Sequence, residues 1–116
     1  MSTIAETIQA VLMPLATGGA FQTVAAQNTV APFIVWIEVG TTTNNNLQGA
    51  SALQNIRIQV DCFSKTQAGL AALSAAVIAA MAGASFSSVH LSSQNLYEQE
   101  VKLFRTAHDF SIWTTG

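Results

Sequence analysis

Asn55-Ile56-Arg57-Ile58-Gln59-Val60-Asp61-Cys62 alternates without a break between polar and apolar side chains. A period of two puts Ile56, Ile58, Val60 and Cys62 on one face of a β-strand, and Asn55, Arg57, Gln59 and Asp61 on the other. The strand, spanning Leu53 to Phe63, therefore covers a core on one side only. Directly afterwards the period changes. Leu70, Leu73, Val77 and Met81 recur at helical spacing, which predicts a helix whose apolar stripe faces the sheet just made. Ser64 and Gln67 have the spacing of a capping box at its start. Its many alanines allow close approach to the sheet, and Gly83 marks its stop.

Upstream, Thr3 and Glu6 have the same capping-box spacing, and Ile4, Ile8, Val11, Leu12 and Leu15 form the stripe of a first helix. Gly18-Gly19 ends it, because glycine takes the left-handed conformation after a last turn. A short strand follows over Ala20 to Val24, then a loop through Gln27, Asn28 and Pro32. Phe33 to Gly40 is dense in β-branched and aromatic residues and reads as a central strand buried on both faces. Thr41 to Ala52, with Asn44, Asn45, Asn46 and Gly49, reads as a polar connection. Two strands close the chain, roughly Phe86 to Gln99 and Val101 to Thr114. In the last one Phe104, Thr106, His108, Phe110 and Ile112 share a face. The order α-β-β-β-α-β-β predicts one α+β domain over residues 1–116, with a mainly antiparallel sheet and two helices packed on one face. No internal repeat is present.

Composition narrows the function. Of the 116 residues, 50% are hydrophobic but 9% are charged, against about 25% in an ordinary soluble domain. The free surface is built from Thr, Ser, Asn, Gln and Ala, which suits a chain that lives against neighbours. The net charge is −2, and Arg57, Lys65, Lys102 and Arg105 stand singly. That pattern argues against gripping nucleic acid, which needs clustered cations to neutralise phosphates. Cys62 has no second cysteine to pair with, so oxidising export is not implied. The N-terminus lacks the positive region of a secretory signal. Ala68 to Ala84 is uncharged but mostly Ala and Gly, too short and too weakly apolar for a membrane span.

Chemistry finds no foothold. His108 and Asp109 are adjacent on a strand and leave opposite faces, and His90 has no second ligand near it in sequence, so no metal site is expected. His108 reads as a hydrogen-bonded core residue and His90 as a surface one. No serine lies in a nucleophile signature, and Gly18-Gly19 lacks the lysine and the strand-to-helix order of a phosphate loop. Glu98 and Glu100 share a strand face and read as an exposed acidic edge. No catalytic residue or cofactor is expected. Arg57 with Asp61, and Arg105 with Asp109, each lie four apart on one strand face. They are either weak surface ion pairs or charges that orient a neighbouring subunit.

Several pieces, taken in order, resemble one known family. Ala31-Pro32-Phe33-Ile34-Val35-Trp36 is similar to the Pro-aromatic-Ile-Val strand of phage tail-completion proteins, the tail terminator family. Arg57-Ile58-Gln59-Val60-Asp61 resembles the Arg-x-Gln-Val-Asp strand expected some twenty residues later. Ser64 to Met81 fits the alanine-rich helix, and Asp109-Phe110-Ser111-Ile112-Trp113 the terminal strand. The resemblance covers most of the chain. It implies a virion protein, assembled in the host cytoplasm, that forms a hexameric ring at the head-proximal end of the tail. Such a ring would stack on the tail-tube protein, stop tube growth and join the tail to the head-closure or connector protein. DNA would pass through the lumen without specific binding. Arg57, Asp61, Arg105, Asp109, Asn44, Asn45 and Asn46 are the candidate subunit-interface residues. A head-closure or neck adaptor of the same particle, and a free-standing α+β binding module, remain open alternatives.

Overall fold

The computed structural model describes residues 4–25, 29–43, 53–84, 86–100 and 102–115. Helix α1 (Ile4–Leu12) leads into a 3-10 turn (Met13–Leu15), then strands β1 (Ala20–Gln22), β2 (Phe33–Thr43) and β3 (Leu53–Ser64). Helix α2 (Gln67–Ala82) and strands β4 (Ser87–Glu98) and β5 (Leu103–Thr115) complete the chain. The strands form one sheet in the order β1-β2-β3-β5-β4. β1 runs parallel to β2, and all the other pairings are antiparallel. The element order, the mainly antiparallel sheet and the helices on one face match the expectation from sequence.

The core lies between the helices and one sheet face. Ile56, Ile58, Val60 and Cys62 are all buried, as their alternation requires. On either side of β3, register aligns Trp36 with Val60 and His108, and Ile34 with Cys62 and Thr106. Ile8 and Leu12 of α1, and Leu70, Leu73, Val77 and Met81 of α2, close over these rows. Each such side chain contributes about 1.5–3 kcal/mol by leaving water.

Local chemistry moved several boundaries. The α-helical part of the first helix stops at Leu12, well before Gly18-Gly19. Pro14, in the following 3-10 turn, has no N–H to continue the ladder. The two glycines serve the next turn instead. Gly18 donates its N–H to the Pro32 carbonyl at 2.8 Å, and a Cβ there would collide with the carbonyl oxygens of Val30 and Pro32. Gly19 sits at φ +92°, the left-handed region glycine tolerates.

At α2 the N-cap is Thr66, whose hydroxyl accepts from the Gly69 N–H at 3.0 Å. Gln67 is the first helical residue and cannot close a box with Ser64. Ser64 instead accepts the Thr66 N–H at 3.3 Å. Gly83 stops the helix as expected.

β2 is not buried on both faces. Ile34 and Trp36 are in the core and Phe33 is covered, whereas Val35 and Ile37 are half-buried and Glu38, Val39 and Gly40 are exposed. The helices cover one face only, so the outward side chains stay wet. Thr41–Thr43 extends β2 and pairs with β3, where a loop was expected. The Thr3 half of the first capping box, Gln27, Asn28 and residues 44–52 lie outside the described residues.

Candidate functional site

The sheet face away from the helices carries the charges. Antiparallel register brings Arg105 of β5 beside Asp61 of β3 and Glu98 of β4. Its guanidinium contacts the Asp61 carboxylate at 2.9 Å and the Glu98 carboxylate at 2.8 Å. Burial works against the charged guanidinium, but the bonds and charges of Glu98 and Asp61 outweigh it and raise its pKa further. Gln59 donates a further hydrogen bond to Asp61 at 3.0 Å. Arg105 also lies over the Phe63 ring at 5.7 Å, and Phe63 stacks on Phe33 at 4.7 Å. A groove of about 680 Å³ opens beside this group, bordered by Val24, Val30 and Lys65.

The same-strand pairs read from sequence do not form. A separation of four residues along a strand is about 13 Å, whereas facing residues on adjacent strands lie about 5 Å apart. Arg105 therefore takes its partners across strands. Asp109 accepts from the Ser92 hydroxyl at 3.0 Å. Arg57 stands exposed, level with Ser111 on one side and Gly40 on the other. Glu98 ends β4, but Glu100 falls in the following turn, so the two do not share a strand face. Asn44, Asn45 and Asn46 lie outside the described residues.

The core side of β4 and β5 holds a cluster that sequence spacing did not reveal. His108 is buried and His90 exposed, as expected individually. A register shift between His90 and Ser92 brings Ser93 opposite His108. The Ser93 hydroxyl then lies 2.9 Å from His90 Nε2 and 2.8 Å from His108 Nδ1, and the two ring nitrogens are 3.3 Å apart. Burial, then the neighbouring His90, hold the His108 pKa below its ordinary value. A nucleophilic serine needs a base that a third group orients. Here no carboxylate hydrogen-bonds either imidazole among the described residues, and His108 Nε2 is buried without a partner. The residues are 15 and 18 apart in sequence. Finding them required the β4–β5 register and its bulge, which no local pattern encodes.

Two further groups are held away from chemistry. Burial pushes the Cys62 thiol up to about 12, so it is not a thiolate near neutral pH. Among the described residues no cluster of three or more His, Cys, Asp or Glu converges on a point. Among the described residues no helix is long and apolar enough to cross a membrane.

β4 is last in the order of the sheet, and among the described residues no strand pairs with its outer side. On the opposite edge β1 pairs with β2 only as far as Trp36. Among the described strands, only β1 pairs with β2 on that side.

The chain is a small α+β domain whose helices cover one face of the sheet. The chain belongs to the family described as tail completion protein gp17, whose model matches residues 6–115. Among solved structures, a chain from the virion of a native gene transfer agent particle is similar, with TM-score 0.68 and 17% identity over 100% of both chains. That likeness shows the fold. No curated protein matches.

Proposed function

We propose that this chain is a tail terminator. It forms a ring at the head-proximal end of a phage tail, ends growth of the tail tube and joins the tail to the head-closure or connector protein. Membership of the tail-completion family over residues 6–115 is the observation that carries this reading. The virion source of the structurally similar chain is consistent with it. Function here is geometric and not catalytic: one end of a ring is complementary to the tube, the other to the neck. Repeated head-to-tail contacts close such a ring when the rotation between copies allows it.

Arg57 and Asp109, on the open face, are the charges assigned to contact with neighbouring subunits. Arg105 and Asp61 are engaged within the chain and set the shape of that face. Asn44–Asn46 join β2 to β3 and are assigned to the same contacts; deleting them should leave tails without heads. The −2 net charge and the scattered cations suit a lumen that DNA crosses without being held.

The test is a particle preparation lacking this chain. Tubes should then vary widely in length and carry no heads, and purified chain added back should restore attachment. Tubes of normal length with heads attached would overturn the reading.

A further inference from the structure

We propose that His90 and His108 form a binding site for one zinc ion, with His90 Nε2 and His108 Nδ1 as its ligands and the Ser93 hydroxyl beside them. The site lies where β4 pairs with β5 and is independent of how copies of the chain associate.

Spacing is the first support. Zinc bonds an imidazole nitrogen at about 2.0–2.1 Å, so two imidazoles on one tetrahedral ion have nitrogens about 3.3 Å apart and ring centres about 5 Å apart. His90 Nε2 and His108 Nδ1 are 3.3 Å apart, and the centres of their rings 5.3 Å apart. The rings are tilted by 55° and not stacked. Neighbouring ligands of a square or octahedral ion would need nitrogens about 2.9 Å apart at the same bond length. The observed spacing therefore favours a tetrahedral ion, and imidazole ligands in that geometry favour zinc. The Ser93 hydroxyl stands 2.9 Å and 2.8 Å from the same two nitrogens, close enough to stay hydrogen-bonded to the site.

The bulge is the second support. In a regular strand, residues three apart leave opposite faces. The register shift between His90 and Ser92 adds one residue, which returns Ser93 to the face of His90 and sets it opposite His108. Bulges re-aim side chains in this way beside functional sites. The His90 ring rests against buried Phe110, with ring centres 5.1 Å apart, and His108 is 2% exposed. Packing therefore holds both ligands in place before an ion arrives.

The surroundings suit an exchangeable ion. His90 is exposed, so solvent reaches the site and water can complete the tetrahedron. With Nδ1 on the metal, His108 carries its proton on Nε2, which a ligating imidazole hands to a further acceptor. Nε2 is buried without a protein partner. His108 and Ser74 border one cavity of about 690 Å³ between α2 and the sheet, wide enough for a water that accepts that proton. Asp109 leaves the opposite face, towards Ser92, and is not a ligand.

Equilibrium dialysis of the untagged full chain against zinc chloride tests the site. One equivalent per chain should bind saturably. His90→Gln changes an exposed side chain and leaves the core intact, yet should weaken binding by at least about tenfold, since loss of a second-shell partner alone costs about 10–100-fold. Ser93→Ala keeps both imidazoles and should still bind one equivalent. Cobalt chloride in place of zinc should give the strong visible absorption of a tetrahedral site, absent in His90→Gln. No saturable uptake at millimolar zinc, or uptake unchanged in His90→Gln, overturns the site and leaves the three side chains as a hydrogen-bonded set. The pale spectrum of six-coordinate cobalt overturns the tetrahedral assignment, and with it the choice of zinc.

Discussion

Gln9 ties three elements with one side chain. Its amide oxygen accepts from Trp36 Nε1 at 2.8 Å, and its amide nitrogen donates to the Ala20 carbonyl at 2.6 Å. Gln9→Leu leaves the indole N–H of a core tryptophan unsatisfied, and should cost about 1–3 kcal/mol in urea unfolding followed by tryptophan fluorescence. Arg105→Leu should cost about 2 kcal/mol, between the 0–1 of an exposed pair and the 3–5 of a buried one. Asp61 is then left with Gln59, and part of the difference between the two proteins should vanish in high salt. For His108 the sign is set by burial and the nearby His90, which act against protonation more than Asp61 and Asp109 favour it. The unfolded chain then binds the proton more readily. Stability is fully present above the ordinary value of 6.5 and is lost as pH falls below it through the folded-state value. His108→Gln should remove that slope from urea midpoints measured across this window.

At the scale of elements, the α2 cap is a clear point of difference between pattern and structure. Thr66→Ala should lower stability by about 1 kcal/mol, because it removes the acceptor for the Gly69 N–H. Gly18→Ala should cost more, since its Cβ meets backbone oxygens on the Val30–Pro32 segment that cannot swing aside. A drop of several degrees in melting temperature checks it. These two cases also show where sequence reading works and where it stops. The alternation of Ile56 to Cys62 and the stripe from Leu70 to Met81 named the buried residues, because burial on one face imposes a period. The last strand was equally legible, with Thr106, His108, Phe110 and Ile112 all buried. Caps, bulges and cross-strand partners were not. Whether Ser64 or Thr66 caps a helix depends on one backbone turn, and whether Arg105 meets Asp109 or Asp61 depends on register between strands 44 residues apart. The His90–Ser93–His108 cluster was hidden for the same reason.

Viewed whole, the molecule is longer than its size requires. Its radius of gyration is 15.0 Å, against about 13 Å for a compact domain of this length. Its extents are 52 × 27 × 24 Å, with strands of 11 to 13 residues in the four-stranded antiparallel part. Long strands and a single helical layer leave one sheet face uncovered by the helices, the face that the proposed ring assigns to neighbours. Low charge also weakens the like-charge repulsion that keeps soluble proteins apart. The central claim is therefore one of association, and sedimentation velocity of the purified chain, alone and mixed with tail tubes, tests it most directly. The account predicts either a closed oligomer in solution or a monomer that moves with the tubes when they are present. A species that sediments at 12.2 kDa under both conditions, leaving the tubes bare, would contradict it.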